Sequence, residues 1–309
     1  MESYLNKSCG GEQPDGSASK QLLNNLREGN LVLAFQPVRL IDCHKDDSRS
    51  QNLYNEALLR LLNGAKHGGE VLSCSSSITL LECTGGIEDL DFSVLWTVIS
   101  LLERHTNQHL SCNVSPVSLS KPDVRHRWLE VLCYLTVHYS VARRLILEIT
   151  ETSVINKDFF QFPVITALRA CGARVAIDDL GSGFTTFEFL EQLHPDVVKI
   201  DRKVLLSACK DAASTRMLRN LVQYCAYHSS CIVVEGVENE QELEVVRSSG
   251  ANCFQGFLGS PPNLKPVWLD LAPVVVKADA PCFDYVNLIT HQGKRMYRMW
   301  EAVLDTYEK

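Results

Sequence analysis

Eight short apolar runs recur along the chain, separated by longer segments whose apolar residues fall at helical spacing. They are LVLAFQPVRL (31–40), NEALLRL (55–61), LSCNVSP (110–116), RLILEITET (144–152), RVAIDDLG (174–181), DVVKIDRK (196–203), CIVVEGVE (231–238) and NCFQGFL (252–258). Strands alternating with helices in this way predict a (β/α)8 barrel, and 309 residues accommodate such a barrel of about 250 residues with extensions. One connection departs from the pattern. IDCHKDDSRSQN (41–52), between the first two runs, is polar and lacks helical periodicity. Parallel neighbours need a crossover, whereas antiparallel ones can be joined by a loop, so the first strand is expected to run antiparallel to the others.

The barrel is expected over residues 21–264. Residues 1–20, rich in Ser, Gly and Asn, read as a disordered leader. Residues 265–309 form an extension in which Met296, Trp300, Val303, Leu304 and Tyr307 recur at helical spacing, predicting a terminal helix packed on the barrel. That extension is also a candidate surface for a protein partner.

A net charge of −7 and a pI near 5.7 argue against a nucleic-acid polymer as partner. No run approaches the roughly 18 consecutive apolar residues needed to span a bilayer, and the N-terminus lacks a signal-peptide core, so a cytoplasmic location without membrane contact is expected. Twelve scattered cysteines with no CxxC pair read as free thiols in a reducing compartment.

The polar positions within the runs are Glu56, Asn113, Glu148, Asp178, Asp179, Lys199, Glu235 and Gln255. Buried carboxylates are costly unless compensated, so a ring of them calls for cations, and carboxylates with an amide suit Mg²⁺ or Mn²⁺ better than zinc or copper. Asp178 and Asp179 would alternate faces on a continuing strand. If the strand instead ends at Asp178 and the chain turns through Gly181 and Gly183, both face the barrel mouth and can serve two adjacent ions, as an in-line phosphoryl displacement uses. Asp201, two residues beyond Lys199, either orients that lysine or caps the next turn.

Together, NEALLRL with AFQP, NVSP, LEITET, IDDLGSGFTTF, HPDVVKID, VEGVE and CFQGFL resemble the EAL-domain family of cyclic di-GMP phosphodiesterases, in order over about residues 21–264. The resemblance implies two Mg²⁺ or Mn²⁺ ions, the first held by Glu56, Asn113, Glu148 and Asp178, the second by the bridging Asp178 and by Asp179. It implies Glu235 as the general base that deprotonates the attacking water, and Lys199 as the residue holding that water and the phosphate. Gln36, Pro37, Arg60 and Pro262 match positions lining the substrate groove, Gln255 lies beside the metals, and Glu151 anchors the loop after Asp179. The implied reaction opens cyclic di-GMP to linear pGpG, and the implied assembly is a homodimer coupled through Gly181–Phe187.

Leu180 stands where an aromatic is usual, Val234 where a small residue is usual, and Gly259 and Pro261 where an aromatic or apolar residue and a basic residue are common. None of these removes an implied metal ligand. The alternative reading is a non-catalytic EAL-fold regulator that binds the nucleotide or a protein.

Overall fold

The computed structural model of the chain describes residues 16–41, 52–63, 70–150, 163–181, 187–269, 272–278 and 291–305. Strands β1 (Leu31–Leu40), β2 (Asn52–Asn63), β3 (Glu70–Ser73), β4 (Leu110–Val114), β5 (Leu145–Thr150), β6 (Arg174–Leu180), β7 (Val197–Ile200), β8 (Cys231–Val234), β9 (Cys253–Gln255) and β10 (Val274–Val275) form one sheet. Pairing of β1 with both β2 and β9 closes eight of them into a barrel, β1-β2-β4-β5-β6-β7-β8-β9. β1 is antiparallel to both neighbours and every other pair in the ring is parallel, as the polar first connection predicts.

All eight expected strands are present, and two short ones were not foreseen. β3 pairs with the far end of β2, between Arg60 and Asn63. β10 pairs with Val32 and Leu33 of β1, and Asn263 bridges to Phe35 through two backbone hydrogen bonds of 2.9 Å. β9 reaches β1 only from Val38 to Leu40. Asn263 and, from beyond the expected boundary at 264, Val274 and Val275 therefore cover part of the β1 edge that β9 leaves open, and an open edge is a ready template for aggregation.

Helices wrap the barrel, and side-chain caps fix the starts of several of them. Ser115 accepts from Val117 N at 3.2 Å, Asp211 from Ser214 N at 2.8 Å and Asn239 from Glu242 N at 3.0 Å. Each satisfies a backbone donor that the helix itself leaves free. The Ile87–Arg104 and Arg125–Val137 helices bury Phe92 and Trp128 against each other, ring centroids 4.9 Å apart, and the Trp128 indole donates to Ser118 O at 2.7 Å. This outer layer, between barrel and helices, holds most of the apolar core. A smaller cluster fills the inside of the barrel: Val38, Tyr54, Ile146, Ala176, Val197, Val233 and Cys253.

The first helix spans Gly16–Glu28 and buries Ser19, Leu22 and Leu26, so helical structure begins within the stretch expected to be a disordered leader. The terminal helix, His291–Asp305, packs on the Arg125–Val137 and Pro163–Ala170 helices. Trp300 and Leu304 are buried, Met296 and Val303 pack beside them, and Trp300 Nε1 donates to Thr136 Oγ1 at 3.0 Å. Tyr307 lies outside the described residues. Among the described residues no helix is long and apolar enough to cross a membrane.

Candidate active site

Two residues beyond the apolar cluster, on seven strands of the ring, the inward-facing positions turn polar. Tyr54 is followed by Glu56, Ile146 by Glu148, Ala176 by Asp178, Val197 by Lys199, Val233 by Glu235 and Cys253 by Gln255; on the reversed β1 the same step runs backwards, from Val38 to Gln36. Side chains two apart on a strand share a face, so the polar set forms a layer at the barrel mouth. β4 contributes Asn113 to it.

Lys199 is 1% exposed and sits at the centre. Its Nζ lies 2.7 Å from Glu148 Oε2, 2.8 Å from Glu235 Oε1, 2.9 Å from Asp178 Oδ1 and 3.0 Å from Glu56 Oε2. An ammonium has three protons and cannot donate fully to four carboxylates. Asp178 Oδ1, close as it is, has no hydrogen bond of good geometry, and Glu148 Oε1 and Asn113 Oδ1 are also buried acceptors without a donor. Glu56 is the best served: Asn113 donates to its Oε1 at 3.0 Å and Gln255 to its Oε2 at 2.8 Å. Gln255 also reaches Gln36 Oε1 at 3.3 Å, and Gln36 in turn donates to Ser260 O at 3.1 Å.

The aspartate pair shares the mouth by a route other than strand termination. β6 continues through Leu180, with one extra residue against β7 between Ile177 and Leu180, and Asp179 takes a left-handed φ of 57°. This bulge breaks the alternation of faces. Oxygens of Asp178, Asp179 and Glu235 come within 4.8 Å of one another, as do those of Glu56, Glu148 and Asp178, so Asp178 belongs to both groups. Gly181 follows with φ 95°, and a Cβ there would lie 2.6 Å from Val204 Cγ2.

Five carboxylates against one ammonium leave the mouth short of positive charge. Desolvation and the neighbouring Glu56 push the Glu148 carboxyl up to about 8, and desolvation with Asp178 lifts Asp179 to about 6. Burial also raises Asp178, and it raises Glu235 well above the carboxylate range despite Lys199. Desolvation pulls at Glu56 too, but the Lys199 charge and the donated hydrogen bonds outweigh it and leave that group low. For Lys199 the acids outweigh desolvation and hold the ammonium charged. Buried oxygens without donors and carboxyls that retain protons for want of countercharge are what a site for hard divalent cations presents, and the all-oxygen donor set of Glu56, Asn113, Glu148, Asp178 and Asp179 fits Mg²⁺ or Mn²⁺.

A cleft of two lobes, each of about 430 Å³, meets over this layer. Glu56, Leu58, Asp178 and Asp179 line both. One lobe runs toward Arg60, Ser75 and Glu82, the other toward Arg202, Glu238 and Phe257. The four expected groove residues divide into two pairs. Gln36 and Arg60 line the cleft, whereas Pro37 lies on the face of β1 opposite Gln36 and lines neither lobe. Pro262 is half-buried beside the Asn263 bridge and also lines neither. Asp201 accepts from Lys203 N at 2.6 Å and caps the Arg202–Ala208 helix rather than orienting Lys199. Glu151 and residues 182–186, the expected loop anchor and most of its loop, lie outside the described residues.

Sequence reading passed over Arg202 and Glu238, which form a 2.8 Å ion pair on the rim. Arg202 packs its stem over Gly236, where a Cβ would sit 2.5 Å from Arg202 Cγ. The glycine directly after Glu235 was the available signal, since only a residue without a side chain admits that approach.

The sequence model of the EAL domain matches residues 19–262. The chain belongs to the EAL domain family. The probable cyclic di-GMP phosphodiesterase PdeA of Escherichia coli K12 is 26% identical over 257 residues, 80% of this chain and 33% of PdeA. The bifunctional diguanylate cyclase/cyclic di-GMP phosphodiesterase MucR of Pseudomonas aeruginosa is 29% identical over 245 residues, 77% of this chain and 34% of MucR. The solved structure described as the PaMucR phosphodiesterase in complex with c-di-GMP superposes with a TM-score of 0.61 at 26% identity, covering 79% of this chain and 97% of that one. The EAL chain thus spans about a third of the length of these curated relatives. Leu180, one of its departures from the family pattern, is 4% exposed and packs in the outer core, away from the acids of the mouth.

Proposed function

We propose that this EAL domain hydrolyses cyclic di-GMP to linear pGpG with the help of two divalent cations, Mg²⁺ or Mn²⁺. The observation that carries the reading is the polar layer at the mouth, where the acids are complete, mutually close and undersupplied with positive charge. The family relationship names the substrate class, and the two-lobed cleft suits a ligand with two bases on either side of its phosphates.

Glu56, Asn113, Glu148 and Asp178 would hold one ion, and Asp178 with Asp179 the other. Bound there, the ions supply positive charge to the phosphate and make a water molecule more acidic. Glu235 accepts the proton of the attacking water at a carboxylate oxygen. Lys199 keeps a fixed positive charge among the acids and faces the phosphate across them. Gln255 and Asn113 orient Glu56 by their hydrogen bonds, and Arg60, on the wall of one lobe, is placed to fork onto a phosphate oxygen.

The test is incubation of the purified chain with cyclic di-GMP and Mg²⁺ or Mn²⁺, with products separated by chromatography. Linear pGpG that disappears on chelation and returns with metal supports the reading. Tight nucleotide binding with no turnover in either metal overturns it in favour of a receptor.

A further inference from the structure

At the opposite end of the barrel from the acids, Cys231 opens β8 and Cys253 opens β9, both facing inward, with their sulfurs 3.6 Å apart. The strand starts around them are pinned. Asn252 accepts from Ile232 N at 2.8 Å and donates to Ser230 O at 2.7 Å, while Ser229 Oγ donates to Cys231 O at 3.1 Å. The two thiols therefore meet because the backbone holds them there. Cys253 is fully buried, whereas Cys231 is partly exposed at the barrel base, within reach of a small solute.

We propose that Cys231 and Cys253 are a peroxide-responsive pair that closes into an intramolecular disulfide across the base of β8 and β9. The Cys231 thiolate attacks one oxygen of hydrogen peroxide; the O–O bond breaks, hydroxide leaves and takes a proton as water, and Cys231 becomes a sulfenic acid. The Cys253 sulfur then attacks Cys231 Sγ, the S–S bond forms, the S–O bond breaks, and the hydroxyl leaves as a second water with the Cys253 proton. Two thiols are oxidised by two electrons and one peroxide is reduced.

The surroundings favour Cys231 as the attacking sulfur. The contact with Cys253 lowers its thiol pKa against the effect of desolvation, and the charge of Arg174 lowers it further. Burial instead pushes up Cys74, Cys112, Cys133, Cys171, Cys209 and Cys225. A thiolate with a second thiol already beside it has a short route to a disulfide, and the buried partner shields the intermediate from further oxidation. The link would fasten together the two strands whose other ends carry Glu235 and Gln255. It stands independently of the proposed hydrolysis.

The experiment treats the reduced full chain with hydrogen peroxide, blocks remaining thiols with N-ethylmaleimide and maps peptides without reductant. The expected product joins the Cys231 and Cys253 peptides, is lighter than the pair by two hydrogens, is reversed by dithiothreitol, and forms at least about tenfold faster than the Cys112 and Cys225 thiols are lost. The oxidised protein should also melt higher than the reduced one. In Cys253→Ser, dimedone should trap the sulfenic acid on Cys231. Absence of the linked peptide, its appearance only in denaturant, or oxidation confined to the exposed Cys83 and Cys209 overturns the proposal; these outcomes are read on the unmutated chain and do not depend on the variant folding.

Discussion

The mouth and the base of this barrel are built from the same strands, two residues apart, and obey opposite rules. At the base, Val38, Tyr54, Ile146, Ala176, Val197 and Val233 fill space with carbon. At the mouth, the amide of Gln36 and the charged groups of Glu56, Glu148, Asp178, Lys199 and Glu235 fill it. The base is apolar apart from the Tyr54 hydroxyl, which is buried without a hydrogen-bond partner among the described residues. The mouth is a set of buried ions whose mutual attraction offsets their desolvation only in part, and its arrangement depends on the rigid layer beneath. The contrast separates what the fold needs from what the chemistry needs, and it can be attacked from either side.

The largest effect is expected at the mouth in turnover. Glu235→Gln preserves size and hydrogen bonding but removes the basic oxygen, so kcat should fall by about 10² to 10⁴ with nucleotide affinity nearly kept. Asp178→Asn should weaken both, since that carboxylate belongs to both acid groups. Steady-state kinetics and binding isotherms at saturating Mg²⁺ distinguish the two, and normal turnover in Glu235→Gln would remove it from the mechanism.

Next in size is the loss of the central charge. Lys199→Met leaves four carboxylates facing one another without their ammonium, and breaking such a buried ion cluster costs about 3–5 kcal/mol. Urea unfolding of the metal-free protein should show this, and the deficit should shrink on adding Mg²⁺. Ile146→Ala, two residues before Glu148, should cost about 2–5 kcal/mol through the cavity it leaves, with no dependence on metal. An equal response of the two variants to Mg²⁺ would erase the distinction between layers.

A smaller effect concerns pH. The Glu148 carboxyl sits at about 8 in the folded, metal-free chain against a usual 4.5. A raised folded value means the proton stabilises the fold; that contribution is complete below the unfolded value of 4.5 and is lost as pH climbs through about 8. Asp179, at about 6, adds in the same direction over its own range. The metal-free melting temperature should therefore decline toward the alkaline end of this window. Mg²⁺ or Mn²⁺ should raise it most there, because cation binding displaces those protons. A metal-induced shift that is flat from pH 5 to about pH 8 would contradict the assignment.

The smallest effect is at Asp201, which acts as a helix cap beside the site. Asp201→Ala should cost about 1 kcal/mol of stability and leave turnover close to normal. A loss of kcat comparable to that of Glu235→Gln would return this residue to the chemistry.

The polar layer was legible in the sequence because each of its members interrupts an apolar run, and a buried acid in a strand has few structural explanations. The reversed β1 was legible for a similar reason: a polar connection without helical period cannot make a parallel crossover. Other features depend on pairing rather than pattern. That Lys199 stands amid four acids follows from the relative stagger of five strands, which no single run encodes. The bulge at Asp179 reads in the sequence as two aspartates with a glycine two residues on, and termination was as natural an interpretation as a left-handed residue within the strand. β10, two residues long, has no periodicity to read. Pro37 shared a motif with Gln36, but adjacency in a strand means opposite faces.

The reversal of β1 also decides where the chain enters the barrel. In an all-parallel barrel the first strand starts at the base, so whatever precedes it is far from the working end. Here Leu31 pairs with Leu61, beyond Glu56 on β2, and β1 then runs down to Leu40. Ten residues at about 3.3 Å each shift the point of entry by roughly 33 Å, from floor to rim. The helix before it, Gly16–Glu28, leans on the Ser75–Thr84 helix, which supplies Ser75 and Glu82 to the wall of one lobe. The route from Gly16 to the cleft wall thus passes along one helix and does not cross the barrel. One inverted strand sets the inlet of the polypeptide beside the acids of the mouth.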